Sequence, residues 1–213
     1  MINGKKNLTK KLKLGIIDYK ACNIFSVYNS FYRLGENPEI IKSSKDIKSF
    51  DKIVIPGVGS ANQSIDYLKK FGFFEEILNF TKKGKNILAI CLGFQIFSKV
   101  LYEDGISNGF GFIDADVIKL NIKKNFNIGW CPVDINDEYS KEIGLSNSAN
   151  FYFCHSYYLK LNHENEKKFF VGNYKNIDLI PSLYIKDNLI GCQFHPEKSQ
   201  NSGQKILQYF IKL

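Results

Sequence analysis

Ile87-Leu88-Ala89-Ile90-Cys91-Leu92-Gly93-Phe94-Gln95 is the stretch on which the fold turns. A short apolar run after Gly84 has the character of a strand buried on both faces, and the cysteine stands where that strand turns into a helix, predicted over Phe94 to Leu101. A cysteine at the carboxyl end of a parallel strand points into the crevice where open α/β sheets bind ligands, and the amino end of the next helix favours its thiolate. Gly93 permits close approach of backbone in the sharp turn, and the amide of Leu92 faces an oxygen developing on a carbonyl that the sulfur attacks.

Working outward, Leu14 to Ile17 reads as a buried strand, Asn23 as the cap of a helix with Ile24, Val27, Tyr28, Phe31 and Leu34 inward, and Gly35 as its end. Glu39 to Lys42 and Lys52 to Ile55 are further strands. Ser60 caps a helix to about Lys70, Phe73 to Lys83 is another, and Gly84 closes it before a strand at Asn86 to Ile90. From Gly105 onward β-like runs dominate, at Asp114 to Leu120, Asn150 to Leu159, Phe169 to Tyr174, Ser182 to Lys186 and Leu189 to Phe194, with Asp187-Asn188 as a hairpin turn. A last helix covers about Ser202 to Ile211. The pattern predicts an α/β fold with an open mixed, largely parallel sheet flanked by helices and added antiparallel strands in the second half.

A chain of 213 residues with 44% hydrophobic and 15% aromatic residues suits one domain, 1–213, with 1–12 as a polar, lysine-rich extension lacking the apolar core of a secretory signal. The longest apolar stretch, Ile87 to Phe94, falls far short of the roughly 20 residues of a membrane helix. Five cysteines without C-x-x-C spacing argue against a disulfide framework and a zinc site, so a cytoplasmic protein with reduced thiols and no metal is expected. The net charge of +8 comes from scattered lysines with no nucleic-acid motif, which fits a solvated surface or attraction of an acidic partner or phosphorylated substrate.

About a hundred residues after the cysteine comes His195-Pro196-Glu197, behind the strand ending at Phe194. A thiol on a strand-to-helix turn, a histidine to take its proton and a carboxylate to orient that histidine form a nucleophilic set: Cys91, His195 and Glu197. Pro196 stiffens the step that lets Glu197 reach the ring nitrogen facing away from the thiol. Pro56-Gly57-Val58-Gly59, at the end of a neighbouring strand, offers Val58 and Gly59 as sources of a second oxyanion amide, and fits an ordinary Gly-rich turn equally well.

Through Cys91-Leu92-Gly93-Phe94-Gln95 and Gly191-Cys192-Gln193-Phe194-His195-Pro196-Glu197 the chain resembles the class I glutamine amidotransferases. Pro56-Gly57-Val58-Gly59, Phe153-Cys154-His155-Ser156-Tyr157 and Lys198-Ser199 are similar to the glutaminase subunits of imidazole glycerol phosphate synthases, from Leu14 to Leu213. The resemblance implies that Cys91 attacks the side-chain amide of glutamine with His195 as base and then acid and Glu197 orienting it. It implies no cofactor, oxyanion amides from Val58 and Leu92, and glutamine contacts from Gly59, Gln95, Ser156 and Tyr157. It also implies a heterodimer with a (β/α)₈-barrel subunit that receives ammonia for histidine biosynthesis, with Trp130, Tyr152 and Lys198 toward that partner. Without the family, Trp130 and Tyr152 read equally well as core.

Three stretches depart from the family pattern. Lys20-Ala21-Cys22-Asn23 and Phe25 stand where glycines surround a methionine and an arginine. Asn127-Ile128-Gly129-Trp130-Cys131 lacks the usual proline-histidine pair before the glycine and tryptophan and the asparagine after them, and Cys154 replaces a valine. Because the second lies on the docking side, a surface-sugar amidotransferase is an alternative destination for the ammonia. A non-catalytic scaffold and another cysteine hydrolase on the same fold are the remaining readings.

Overall fold

The structure, a computed structural model, describes residues 11–20, 23–121, 125–174 and 180–213. Most of the expected polar extension and the altered step at Ala21-Cys22 lie outside the described residues. Strand β1 (Leu14–Ile17) leads through α1 (Ile24–Arg33) to β2 (Glu39–Ile41) and then β3 (Lys52–Ile55). Helices α2 (Ala61–Lys70) and α3 (Phe73–Lys82) precede β4 (Ile87–Ile90) and a single helical turn, α4 (Leu92–Gln95). There follow β5 (Val100–Leu101), β6 (Ser107–Asn108), β7 (Ala115–Lys119), β8 (Asn127–Ile135), α5 (Asp137–Ile143), β9 (Ser148–His155) and β10 (Tyr157–Leu161). The order ends with β11 (Phe170–Tyr174), β12 (Ile180–Lys186), β13 (Leu189–Cys192) and α6 (Gln200–Lys212).

Among the described residues, nine strands form one sheet in the order β2-β1-β3-β4-β13-β12-β11-β8-β9. Neighbours from β2 to β13 are parallel and those from β13 to β9 antiparallel, so the sheet divides at β13. A second sheet runs β10-β7-β5-β6. The last strand of the chain thus returns beside β4, with Cys192 level with Ile90, and two segments a hundred residues apart end side by side.

Every residue of β4 is buried because both faces of the sheet are covered. Leu88 and Ile90 pack with Val27 and Phe31 of α1 and with Leu207 and Phe210 of α6. Ile87 and Ala89, pointing the other way, pack with Ile65 and Leu68 of α2 and with Ile77 and Phe80 of α3. The hairpin at Asp187-Asn188 forms as expected, with Lys186 opposite Leu189 and Asp187 at φ +52°.

Several local expectations are corrected. The helix expected over Phe94 to Leu101 lasts one turn, because the Ile96 carbonyl accepts from Phe110 N at 2.8 Å and Lys99 N donates to Ala115 O at 2.9 Å, drawing the chain into the second sheet. Periodicity misled here since Ile96, Phe97 and Leu101 are each wholly buried and present no solvent face. The run Asn150 to Leu159 breaks at Ser156 into strands of two different sheets. Strand β8 and helix α5 were not expected: Gly129 and Pro132 interrupt the strand pattern, and Pro132 pairs with Asn150 of β9 just outside the Val133–Ile135 stretch that β11 occupies. Asn23 and Ser60 make no side-chain cap, and the first amide of α2, on Ala61, donates to Glu103 Oε2 at 2.9 Å instead. No helix among the described residues is long and apolar enough to cross a membrane.

Candidate active site

Cys91 takes φ +51° and ψ −108°, backbone angles that a side-chain-bearing residue rarely adopts. The cause is the handover from β4 to α4: Cys91 N still donates to Cys192 O of β13 at 2.7 Å, while its own carbonyl already accepts from Gln95 N at 3.0 Å. The turn between these bonds is sharp enough to hold the sulfur above the sheet edge, in the manner of a nucleophile elbow.

From β13 the chain continues through Gln193 and Phe194 to His195, and Pro196–Lys198 forms a 3₁₀ turn. His195 is pinned by its own backbone, N donating to Tyr152 O at 2.8 Å and O accepting from Ser199 Oγ at 2.6 Å. Its Nδ1 lies 2.8 Å from Glu197 Oε1, with both side chains almost wholly buried. Nε2 is buried with no hydrogen-bond partner among the described residues, and the Cys91 sulfur is near enough to act on the ring's charge. Burial works against a charge on the ring, but the sulfur and the Glu197 carboxylate outweigh it and raise the His195 pKa to about 10. The ring therefore favours its protonated form, which suits it to hand a proton to a leaving group.

The charge has a consequence for stability. A histidine at about 10 when folded and 6.5 when unfolded binds the extra proton in the folded state, so its contribution is whole below pH 6.5 and lost as pH rises through 10. Glu197→Gln removes one of the two raising groups. Urea unfolding between pH 6 and 10.5 is expected to show a flatter decline of stability for the variant than for the parent; parallel curves would contradict the pairing.

A cavity of about 270 Å³ opens against the sulfur. It is lined by Val58, Gly59, Leu92 and Gln95, and on its other side by Ser156 and Tyr157, so every residue expected to serve the oxyanion or glutamine borders one space. Gly59, at φ +123°, bends the loop after β3 into that wall. Trp130 and Tyr152 face each other across β8 and β9 with ring centroids 6.1 Å apart, and Lys198 Nζ lies 5.7 Å above the Tyr152 ring. Trp130 is 48% exposed, which removes the core-packing reading for it.

The chain matches the family model described as "Glutamine amidotransferase class-I" over residues 15–213. The chain belongs to the class-I glutamine amidotransferase family. Among its relatives, "Imidazole glycerol phosphate synthase subunit HisH 1" from Campylobacter jejuni is 39% identical over 204 residues, covering 94% of this chain and 100% of that protein. "Imidazole glycerol phosphate synthase subunit HisH" from Caldanaerobacter subterraneus subsp. tengcongensis is 38% identical, covering 92% and 96%. Of solved structures, "Structure of PurLQS from Thermotoga maritima" superposes with a TM-score of 0.76 at 18% identity, over 95% of this chain and 98% of that one, a likeness of fold.

The amidotransferase cavity also holds residues that sequence reasoning missed. Glu103 borders it from the turn after β5, its carboxyl raised by burial against the opposing pull of the Ala61 amide. When ionised this carboxylate only accepts, which suits the ammonium of an amino-acid substrate. Phe126, Ile128, Cys154 and His155 line the cavity as well. Nothing in the local pattern around Glu103 marks it, since Tyr102-Glu103-Asp104-Gly105 reads as a solvated turn. Among the described residues Cys91, Cys131, Cys154 and Cys192 are free thiols, and no group of three or more His, Cys, Asp or Glu side chains is arranged to hold a metal ion.

Proposed function

We infer that this chain is the glutaminase subunit of an imidazole glycerol phosphate synthase, hydrolysing glutamine to glutamate and ammonia. The observation that carries the reading is the meeting of Cys91, His195 and Glu197 beside a cavity bordered by Gln95, Ser156 and Tyr157. The Cys91 sulfur adds to the glutamine side-chain carbonyl, with the amides of Leu92 and Val58 receiving the oxyanion. The C–N bond then breaks, His195 gives its proton to the departing nitrogen, and a glutamyl thioester remains on Cys91. Water, deprotonated by His195, adds to the thioester; the C–S bond breaks and glutamate leaves. Glu197 holds the ring tautomer throughout.

Gln95 uses both hydrogens of its Nε2, on Tyr157 O at 2.7 Å and on Gln193 Oε1 at 3.2 Å. Only its oxygen remains for the ligand, and with Glu103 it forms an acceptor wall for the substrate ammonium. Gly59, Ser156 and Tyr157 complete the glutamine contacts. The names of the relatives support a synthase partner. On this reading that partner is a (β/α)₈ barrel in histidine biosynthesis, seated on Trp130, Tyr152 and Lys198. The same reading makes residues 1–213 one amidotransferase domain with a polar stretch at 1–12, working in the cytoplasm.

Glutamate release from glutamine, measured with and without the barrel subunit, tests the proposal. Low turnover alone and strong stimulation by the imidazole glycerol phosphate synthase barrel are expected. Stimulation only by a surface-sugar synthase assigns the ammonia to that alternative, and no release with any partner leaves a scaffold.

A further inference from the structure

Asn127 reaches the Cys91 sulfur through an unbroken line of buried and part-buried hydrogen bonds, none of which the substitutions noted at this strand predict. It is 8% exposed and begins β8 between Phe126 and Ile128, which are 43% and 58% exposed and border the cavity mouth. Its Oδ1 accepts from the Cys131 thiol at 3.5 Å, which turns its NH₂ toward His155 Nε2, 3.4 Å away. His155 Nε2 therefore accepts, and the ring's one proton sits on Nδ1, which donates to Tyr157 O at 2.8 Å. Burial holds this ring neutral, with its pKa pushed down to about 4.

The Tyr157 carbonyl takes a second bond from Gln95 Nε2, whose other hydrogen goes to Gln193 Oε1. That leaves the Gln193 NH₂ facing the Cys91 sulfur at 3.8 Å. Each amide or ring orientation is dictated by its neighbour, so a change at one end of such a network is felt at the other.

We propose that Asn127 and His155 are positioning residues of the glutaminase site, fixing through the Tyr157 carbonyl the orientation of Gln95 toward substrate and of Gln193 toward the nucleophile. The inference rests on the glutaminase reading above. It also gives the replaced residue at 127 a role: the strand that presents Ile128 and Trp130 outward holds the substrate pocket from behind.

The chain has only three histidines, so ¹⁵N labelling of histidine in the full chain resolves the ring protons directly. The parent is expected to carry the His155 proton on Nδ1. Asn127→Leu removes the donor, and Asn127→Asp replaces it with an acceptor to which Nε2 must donate. With saturating barrel partner, each variant is expected to lose about tenfold in kcat/KM for glutamine with a raised KM, the loss of one buried hydrogen bond at a ligand-orienting group. A purely structural loss lowers the active fraction and leaves KM unchanged.

A parent proton on Nε2 overturns the proposal, as does an Asn127→Leu protein with a displaced tautomer but kcat/KM within about twofold of the parent. Failure of the glutaminase reading is distinct. It shows as no glutamate from the parent complex, while the ring-proton measurement still tests the hydrogen-bond line by itself.

Discussion

Cys91→Ala is expected to cut partner-stimulated glutamate release by on the order of 10⁴-fold or more, the scale seen when a covalent nucleophile is removed. The substitution deletes one sulfur from a residue that is 5% exposed and leaves the elbow backbone to be held as before by the β13 carbonyl and by α4. On the proposed reading glutamine binding and partner docking survive, because Gln95, Glu103, Ser156 and Trp130 are untouched. The loss should lie in kcat, and mass spectrometry should find no glutamyl adduct on the variant. Turnover at the parent rate would remove Cys91 from the mechanism and with it the thioester.

Gly93→Ala is expected to be nearly as damaging for a different reason. A methyl group at Gly93 would sit 2.2 Å from the Ile55 carbonyl oxygen and 3.0 Å from its carbon, both backbone atoms at the end of β3. The contact is reciprocal, since a methyl at Gly57 would meet Gly93 N at 2.4 Å. The elbow and the loop carrying Val58 are thus packed backbone against backbone, with no flexible side chain to yield. We expect about 3 kcal/mol of lost stability in urea unfolding, the upper range for overpacking. Glutaminase activity in the protein that remains folded should fall on the order of 100-fold as the oxyanion amides separate. Gly35→Ala is the control, having nothing within 4 Å and only the strain of φ +89° to bear. Equal stability losses in the two variants would refute the close-packing account.

The elements legible in the sequence are those whose signal is local. The buried runs at Leu14–Ile17, Lys52–Ile55 and Ile87–Ile90 lie within a residue of where they were expected, because a strand covered on both faces needs an unbroken apolar run. Helices α1, α2 and α3 were legible because each keeps one wet face and so a readable period. The expected extension of α4 failed where that condition fails: Ile96 and Phe97 are buried on all sides, and the backbone partners that end the helix come from Phe110 and Ala115, beyond any local window. Strand β8 was hidden by Gly129 and Pro132, which are tolerated only because of which neighbour lies on which side.

For the site, residue types and order proposed Cys91, His195 and Glu197, and the structure sets His195 Nδ1 2.8 Å from Glu197 Oε1, with Cys91 at the end of β4 beside β13. Trp130 was undecided between core and surface until the structure gave its exposure. Glu103 had no signal at all, because its approach to the cavity depends on how β5 and β6 fold back on the first amide of α2.

The alternation of buried runs with helical periods was enough to read the α/β class, and the resemblance carried by the Cys91 and His195 motifs was enough to read the family. Pairings between distant segments were decided only in three dimensions: β13 beside β4, the second sheet cutting α4 short, Glu103 in the cavity wall, and the line from Asn127 to the sulfur. The reason is that periodicity and turn chemistry act over a few residues, whereas a hydrogen bond between Gln95 and Gln193 exists only once the strands that carry them are neighbours.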